Sequence, residues 1–310
     1  MAGIFDNLSR SFKRADILMQ FISINIGVFV ASLVIMLVCK LFNVSSAYLL
    51  DYIELPSELH LFVRQPWTLV TYMFIHYDFM HILFNMLWLY WFGRIFLFLF
   101  SGRQLGGLYI LGGIGGAVAY LLAFNIFPYF EQFSNRYLLG ASASVLAIVV
   151  APAVAAPNFS LRLLFLGKVK LKYIALFSVL IDIYYLSQTT DNPGGHIAHL
   201  GGALTGFLFA RQLSKGKDIT AFINKCIDSC WNFFQNKPKM KVTSNRTASQ
   251  SSTHKENAER MTSQPQSPTT YQQKINNEEI DLILDKLKKS GYDSLSSEEK
   301  KSLFNASKSK

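Results

Sequence analysis

Six apolar stretches, each of membrane-spanning length or close to it, constrain this chain more than any other feature. They run Ile17 to Cys39, Phe79 to Phe100, Leu105 to Phe127, Gly140 to Ala156, Leu171 to Ser187 and His196 to Leu213. A span needs about 17 to 25 residues, so the last three are short; they suit core helices ringed by the others, or a locally thin bilayer. Their length and their Leu, Ala and Gly content select helices over strands. With 51% hydrophobic residues and 26 Phe among 310, an integral membrane protein is expected rather than a soluble domain. The expected fold class is all-α: a polytopic six-helix membrane bundle over 17–213, with a cytoplasmic N-terminus at 1–16 and a cytoplasmic helical tail.

Lys and Arg set the orientation. Arg10, Lys13, Arg14, Arg103, Arg162, Lys168, Lys170 and Lys172 fall on one side, against Lys40, Arg64 and Arg136 on the other. By the positive-inside rule both termini are expected in the cytoplasm, in a cell membrane. The first span is too long for a cleavable signal core and lacks a small-residue cleavage site, so it reads as retained. The net charge of +10 then reflects topology and attraction to anionic membrane lipids, and no nucleic-acid partner is expected. Three cysteines, Cys39, Cys226 and Cys230, make neither a disulfide framework nor a persuasive metal site.

The connection from Phe42 to Asp78 carries an apolar-aromatic stretch, Leu59 to Tyr72 around Pro66-Trp67, expected in the outer interface. Glycines four apart, Gly112 with Gly116 and Gly202 with Gly206, are packing devices; with no strand before the third span, a nucleotide loop is a poor reading there. Residues 214–241 form a basic juxtamembrane segment, amphipathic from Asp218 to Phe234. Residues 242–276 read as a disordered linker. In 277–310 a small helical hairpin is expected from Ile280, Ile283, Leu284 and Leu287, from Gly291, and from the capping box Ser296/Glu299, with an unidentified partner.

Against this apolar background a few polar residues stand out, because such groups at membrane depth are costly and usually functional. With the N-terminus inside, the second, fourth and sixth spans start at the outer face. His81, Ser142 and His199 each fall within the first turn of their span, and Asn85 lies one turn deeper on the face of His81. The chemistry that fits is Ser142 as nucleophile, His199 as general base, and His81 and Asn85 with the Ser142 amide as oxyanion donors, one donor being worth about 3 kcal/mol in comparable sites. Gly140, Ala141 and Ala143 leave room for substrate beside the nucleophile. Asp182 is expected on the inner side of the fifth span's midpoint, as a helix-contact hydrogen-bonder, which leaves a Ser-His dyad. Ser144 faces elsewhere, about 200° round the helix. His196 is read as interfacial, His76 as a cap or headgroup contact with a supporting role near the cavity as the alternative, and Arg94 as snorkelling inward. No cofactor or metal is expected.

Gly140-Ala141-Ser142, Ala198-His199-Leu200-Gly201-Gly202 with Gly206, and His76 to Asn85 together resemble the rhomboid family of intramembrane serine proteases over about Pro66 to Leu213. The resemblance implies a water-filled cavity opening outward and cleavage of transmembrane protein substrates at or near their spans, beside small residues. The chain departs from the family pattern at Ala143, where Gly is common, and at Leu146, where a Tyr often stacks on the histidine. It also departs at Leu97/Phe98, where an acidic residue is frequent. Two rival readings are a non-proteolytic member of the fold that binds transmembrane helices and a transporter using the His-x-x-His at His196 and His199 as a metal route.

Overall fold

The computed structural model of the chain describes residues 12, 15–133, 136–163, 167–188 and 192–234, and five residues further on, 283, 286, 296, 298 and 299. Each of the six apolar stretches is a helix: α1 (Ile17–Leu41), α2 (Phe79–Leu99), α3 (Gly102–Ile126), α4 (Ser142–Ala155), α5 (Leu171–Ser187) and α6 (Pro193–Leu213). Of these, α1, α2 and α3 are long and apolar enough to cross a membrane on their own. Side-chain caps set several starts: Asp16 accepts from the Met19 amide, Asp78 from His81, and Ser101 with Gln104 closes a capping box. The helix α6 starts three residues before the expected His196, because Asn192 caps the Gly195 amide and Pro193 takes the first helical position.

The core of the bundle is α3, α4 and α6, packed so closely that glycine is required at the contacts. A Cβ on Gly202 would lie 2.1 Å from the Ala143 carbonyl oxygen, and one on Gly206 would lie 2.3 Å from that of Ala147. On α3, a Cβ at Gly112 or Gly116 would meet the methyl of Ala147 or Ala143 at 2.5 Å. The packing role expected of these glycines is what the contacts show. Most of α4 is buried, whereas α5 leaves Phe177, Leu180 and Tyr184 exposed.

The fold is mostly helical, as expected, with two short antiparallel pairings added. The chain between α1 and α2 contains β1 (Leu55–Pro56), paired antiparallel with β2 (Tyr137–Leu138), and β3 (Ser160–Leu163) pairs with β4 (Gly167–Lys170) in a hairpin. In the first connection the short helices Leu59–Arg64 and Thr68–Thr71 lead to Tyr72 and Met73, both buried in the bundle. Tyr72 donates to the Gly113 carbonyl at 2.7 Å, while its own carbonyl accepts from the Gly140 amide at 2.9 Å. Glu54 is buried and accepts from the Tyr77 hydroxyl, and burial pushes its carboxyl above the usual range.

After α6, helix α7 (Ala221–Phe234) is amphipathic as expected, and it is pinned to the start of α3. Arg103 pairs with Asp228, and Gln104 donates to Asp218 at 3.1 Å. Arg94 is held by Asp16 at 2.8 Å. In the C-terminal unit, 240–310, the Ser296/Glu299 capping box is formed, at 2.7 and 3.2 Å, and Lys286 pairs with Glu299. The expected linker at 242–276, and Ile280, Leu284, Leu287 and Gly291, lie outside the described residues.

Gly202→Ala should lower the melting temperature in detergent, the overpacked contact costing about 1–3 kcal/mol. Gly27→Ala, with nothing within 4 Å of the added carbon, should leave it unchanged or raise it slightly. Equal melting temperatures for the two variants would refute this account of the packing.

Candidate active site

A cavity of about 600 Å³ opens between α2, α4, α5 and α6. Ser142, His199, His81 and Asn85 all line it, so the structure brings together the four polar residues singled out in the sequence. Ser142 is the first residue of α4, whose opening amides have no intrahelical acceptor and carry the positive end of the helix dipole. Gly140, two residues before α4, has φ +113°, a left-handed conformation that favours glycine, and a Cβ there would strike the His81 ring at 2.7 Å. His81 therefore packs directly on the backbone leading to Ser142. Asn85 gives one amide hydrogen to the His81 carbonyl at 2.9 Å and keeps the other for the cavity it lines. Ser142 and His199 share the cavity without a hydrogen bond between Ser142 Oγ and the imidazole among the described residues, a spacing common in unliganded sites.

Several expected neighbours sit elsewhere. Leu146 lines the cavity, one turn after Ser142, but Gly140, Ala141 and Ala143 do not. Gly140 lies beneath the His81 ring, and Ala141 is fully buried and donates its amide to His76 Nε2 at 3.3 Å. The Ala143 methyl faces Gly116 of α3 rather than the cavity, so it does not narrow the site. Ser144 points away as expected, fully buried with its hydroxyl 3.9 Å from Met73 Sδ.

The larger correction concerns Asp182. It lines the cavity, buried, with Oδ1 2.8 Å from His199 Nδ1 and 2.8 Å from His196 Nδ1. Asp182 lies past the middle of α5, nearer Ser187 than Leu171, and the early start of α6 sinks His199 to its seventh residue. The two side chains thus meet at one level, and the premise of the dyad, that no carboxylate is in reach, fails. As a carboxylate, Asp182 only accepts, so both imidazoles present Nδ1–H to it and keep Nε2 as the acceptor nitrogen. His196 is not simply interfacial: its ring stacks on Tyr185 at 5.1 Å and 14°.

His76 was the other residue underread from sequence. It is fully buried with its ring 5.0 Å from that of His81, and it holds the Ala141 amide. Burial, and then His81, push its imidazole down to about 4 from the ordinary 6.5. The folded chain keeps His76 neutral while the unfolded chain binds a proton first as pH falls. Its contribution to stability is complete above about pH 6.5 and is lost as pH falls towards the folded value. Melting temperatures taken from about pH 7 to pH 4.5 should fall, and His76→Gln should flatten that fall; parallel curves would sink the idea.

Residues 63–216 match the Rhomboid domain, and residues 269–309 match a Family of unknown function (DUF6576). RHOMBOID-like protein 12, mitochondrial, of Arabidopsis thaliana is 31% identical over 159 residues, which is 48% of this chain and 47% of that protein. The chain thus spans about half the length of the curated relative it matches. The apolar helices and this domain mark a membrane protein, and the chain belongs to the rhomboid family.

Proposed function

We propose that the chain is an intramembrane serine endopeptidase that cleaves other membrane proteins at or near a transmembrane segment. The observation that carries this reading is the meeting of Ser142, His199, Asp182, His81 and Asn85, drawn from four helices, around one cavity. Ser142 Oγ attacks the substrate carbonyl carbon as its proton passes to His199 Nε2. The oxyanion is held by the Ser142 amide with His81 and Asn85. His199 then protonates the leaving amine, and water, activated by the same imidazole, releases the acyl group from Ser142. Asp182 holds the Nδ1–H tautomer of His199 and stabilises the imidazolium between the two steps. The distribution of Lys and Arg supports cytoplasmic termini and a site toward the outer face.

A second reading is a non-proteolytic rhomboid-like protein that binds transmembrane helices; Phe177 and Ile181 of α5 give the cavity an apolar wall for such a helix.

The test uses purified protein in liposomes with a model transmembrane substrate carrying small residues near its outer end. Cleavage should persist in chelator and in Ser144→Ala, and be abolished in Ser142→Ala and His199→Ala. Asp182→Asn should keep KM while lowering kcat by about 10²- to 10⁴-fold, because the wrong tautomer is favoured. Cleavage that survives Ser142→Ala would overturn the mechanism. A biological effect that survives it would select the second reading.

A further inference from the structure

His196, held by the same Asp182 oxygen as His199, has no part in the proposed reaction. Orienting His199 takes one carboxylate and one imidazole, yet a second imidazole is locked in place by Tyr185 with its Nδ1 on the same Asp182 oxygen. Asp182, His196 and His199 each offer a ligating atom, and all of these lie within 4.8 Å of one another. The histidines are three apart on one face of α6, opposite a carboxylate on α5. Two imidazoles and one carboxylate suit a borderline cation such as Zn²⁺, whereas Mg²⁺ and Ca²⁺ prefer all-oxygen sites. The adjoining cavity has room for water as a fourth ligand, and no Lys or Arg is among its lining residues to repel a cation.

We propose that Asp182, His196 and His199 bind Zn²⁺, and that this binding switches off the reaction at Ser142. The binding half stands on the donor geometry alone; the switching half rests on the protease reading. The donor atoms at 2.8 Å must part by about half an ångström to surround a tetrahedral zinc with bonds of about 2.0–2.1 Å. That is within reach of small side-chain rotations. A neutral imidazole metallated at Nδ1 carries its proton on Nε2, so each ring exchanges one tautomer for the other through water with no net gain or loss of protons. His199 then presents N–H, not a lone pair, to Ser142, and proton transfer from the nucleophile stops.

Tag-free full-length protein in liposomes is titrated with Zn²⁺ alone, each variant scaled to its own metal-free rate. Micromolar Zn²⁺ should inhibit the wild type, EDTA should reverse the effect, and Mg²⁺ should not reproduce it. His196→Gln, which keeps Ser142, Asp182 and His199, should need about tenfold more zinc or higher. Equal sensitivity of the two proteins, or full wild-type activity in millimolar zinc, would overturn the proposal. Calorimetry on Ser142→Ala separates this proposal from the protease reading. One zinc bound per chain and X-ray absorption giving two imidazole ligands support the site even if no protein cleaves; no binding overturns it whatever the activity.

Discussion

The close approach of α3, α4 and α6 is the constraint on which the site depends. Side chains between these helices would hold them apart; here backbone meets backbone and methyl group, with Gly202 and Gly206 against the Ala143 and Ala147 carbonyls and Gly116 against the Ala143 methyl. Apolar side chains gain nothing by leaving a hydrocarbon layer for one another, so dispersion at short range must hold such a bundle. The reward is positional. Ser142 begins the helix those contacts grip, and His199 lies one turn before Gly202 on the helix that grips it.

The second layer of the design is polar. Several polar groups at the site are engaged by another: Asn85 by the His81 carbonyl, His199 by Asp182, and the Ala141 amide by His76. In a medium of low dielectric constant such links are strong and their absence is costly. The His199–Asp182 link also braces α6 to α5, and the Ala141–His76 link braces the segment before α4 to the segment before α2. Removing a brace and removing a reactive group are different chemical acts, even where both silence an enzyme.

The helices were legible because apolar runs of span length leave the chain little alternative, and the four cavity residues because polar groups stand out in such runs. Asp182 was misplaced for a specific reason. Helix α5 keeps the expected bounds Leu171–Ser187 and runs outward, so Asp182 lies on the outer side of its midpoint, not the inner; the Asn192 cap and Pro193, which start α6 a turn before His196, bring His199 down to meet it. That signal was in the sequence. The hairpin of β3 and β4 and the burial of His76 carried no comparable one: the strands are four residues each, and His76 lies in a connection whose path is set by tertiary contacts.

The length of α4 has a consequence for the surroundings. Its 14 residues rise about 21 Å, well short of the roughly 30 Å of a hydrocarbon layer. A helix that short would force lipid to thin around it if lipid touched it, but from Ala143 to Ala153 it is buried among its neighbours. Mismatch thus falls on the helices that expose apolar side chains, the short α5 among them, while α4 is measured only against protein. The level of Ser142 is on this account set by its protein neighbours and not by lipid touching its own helix.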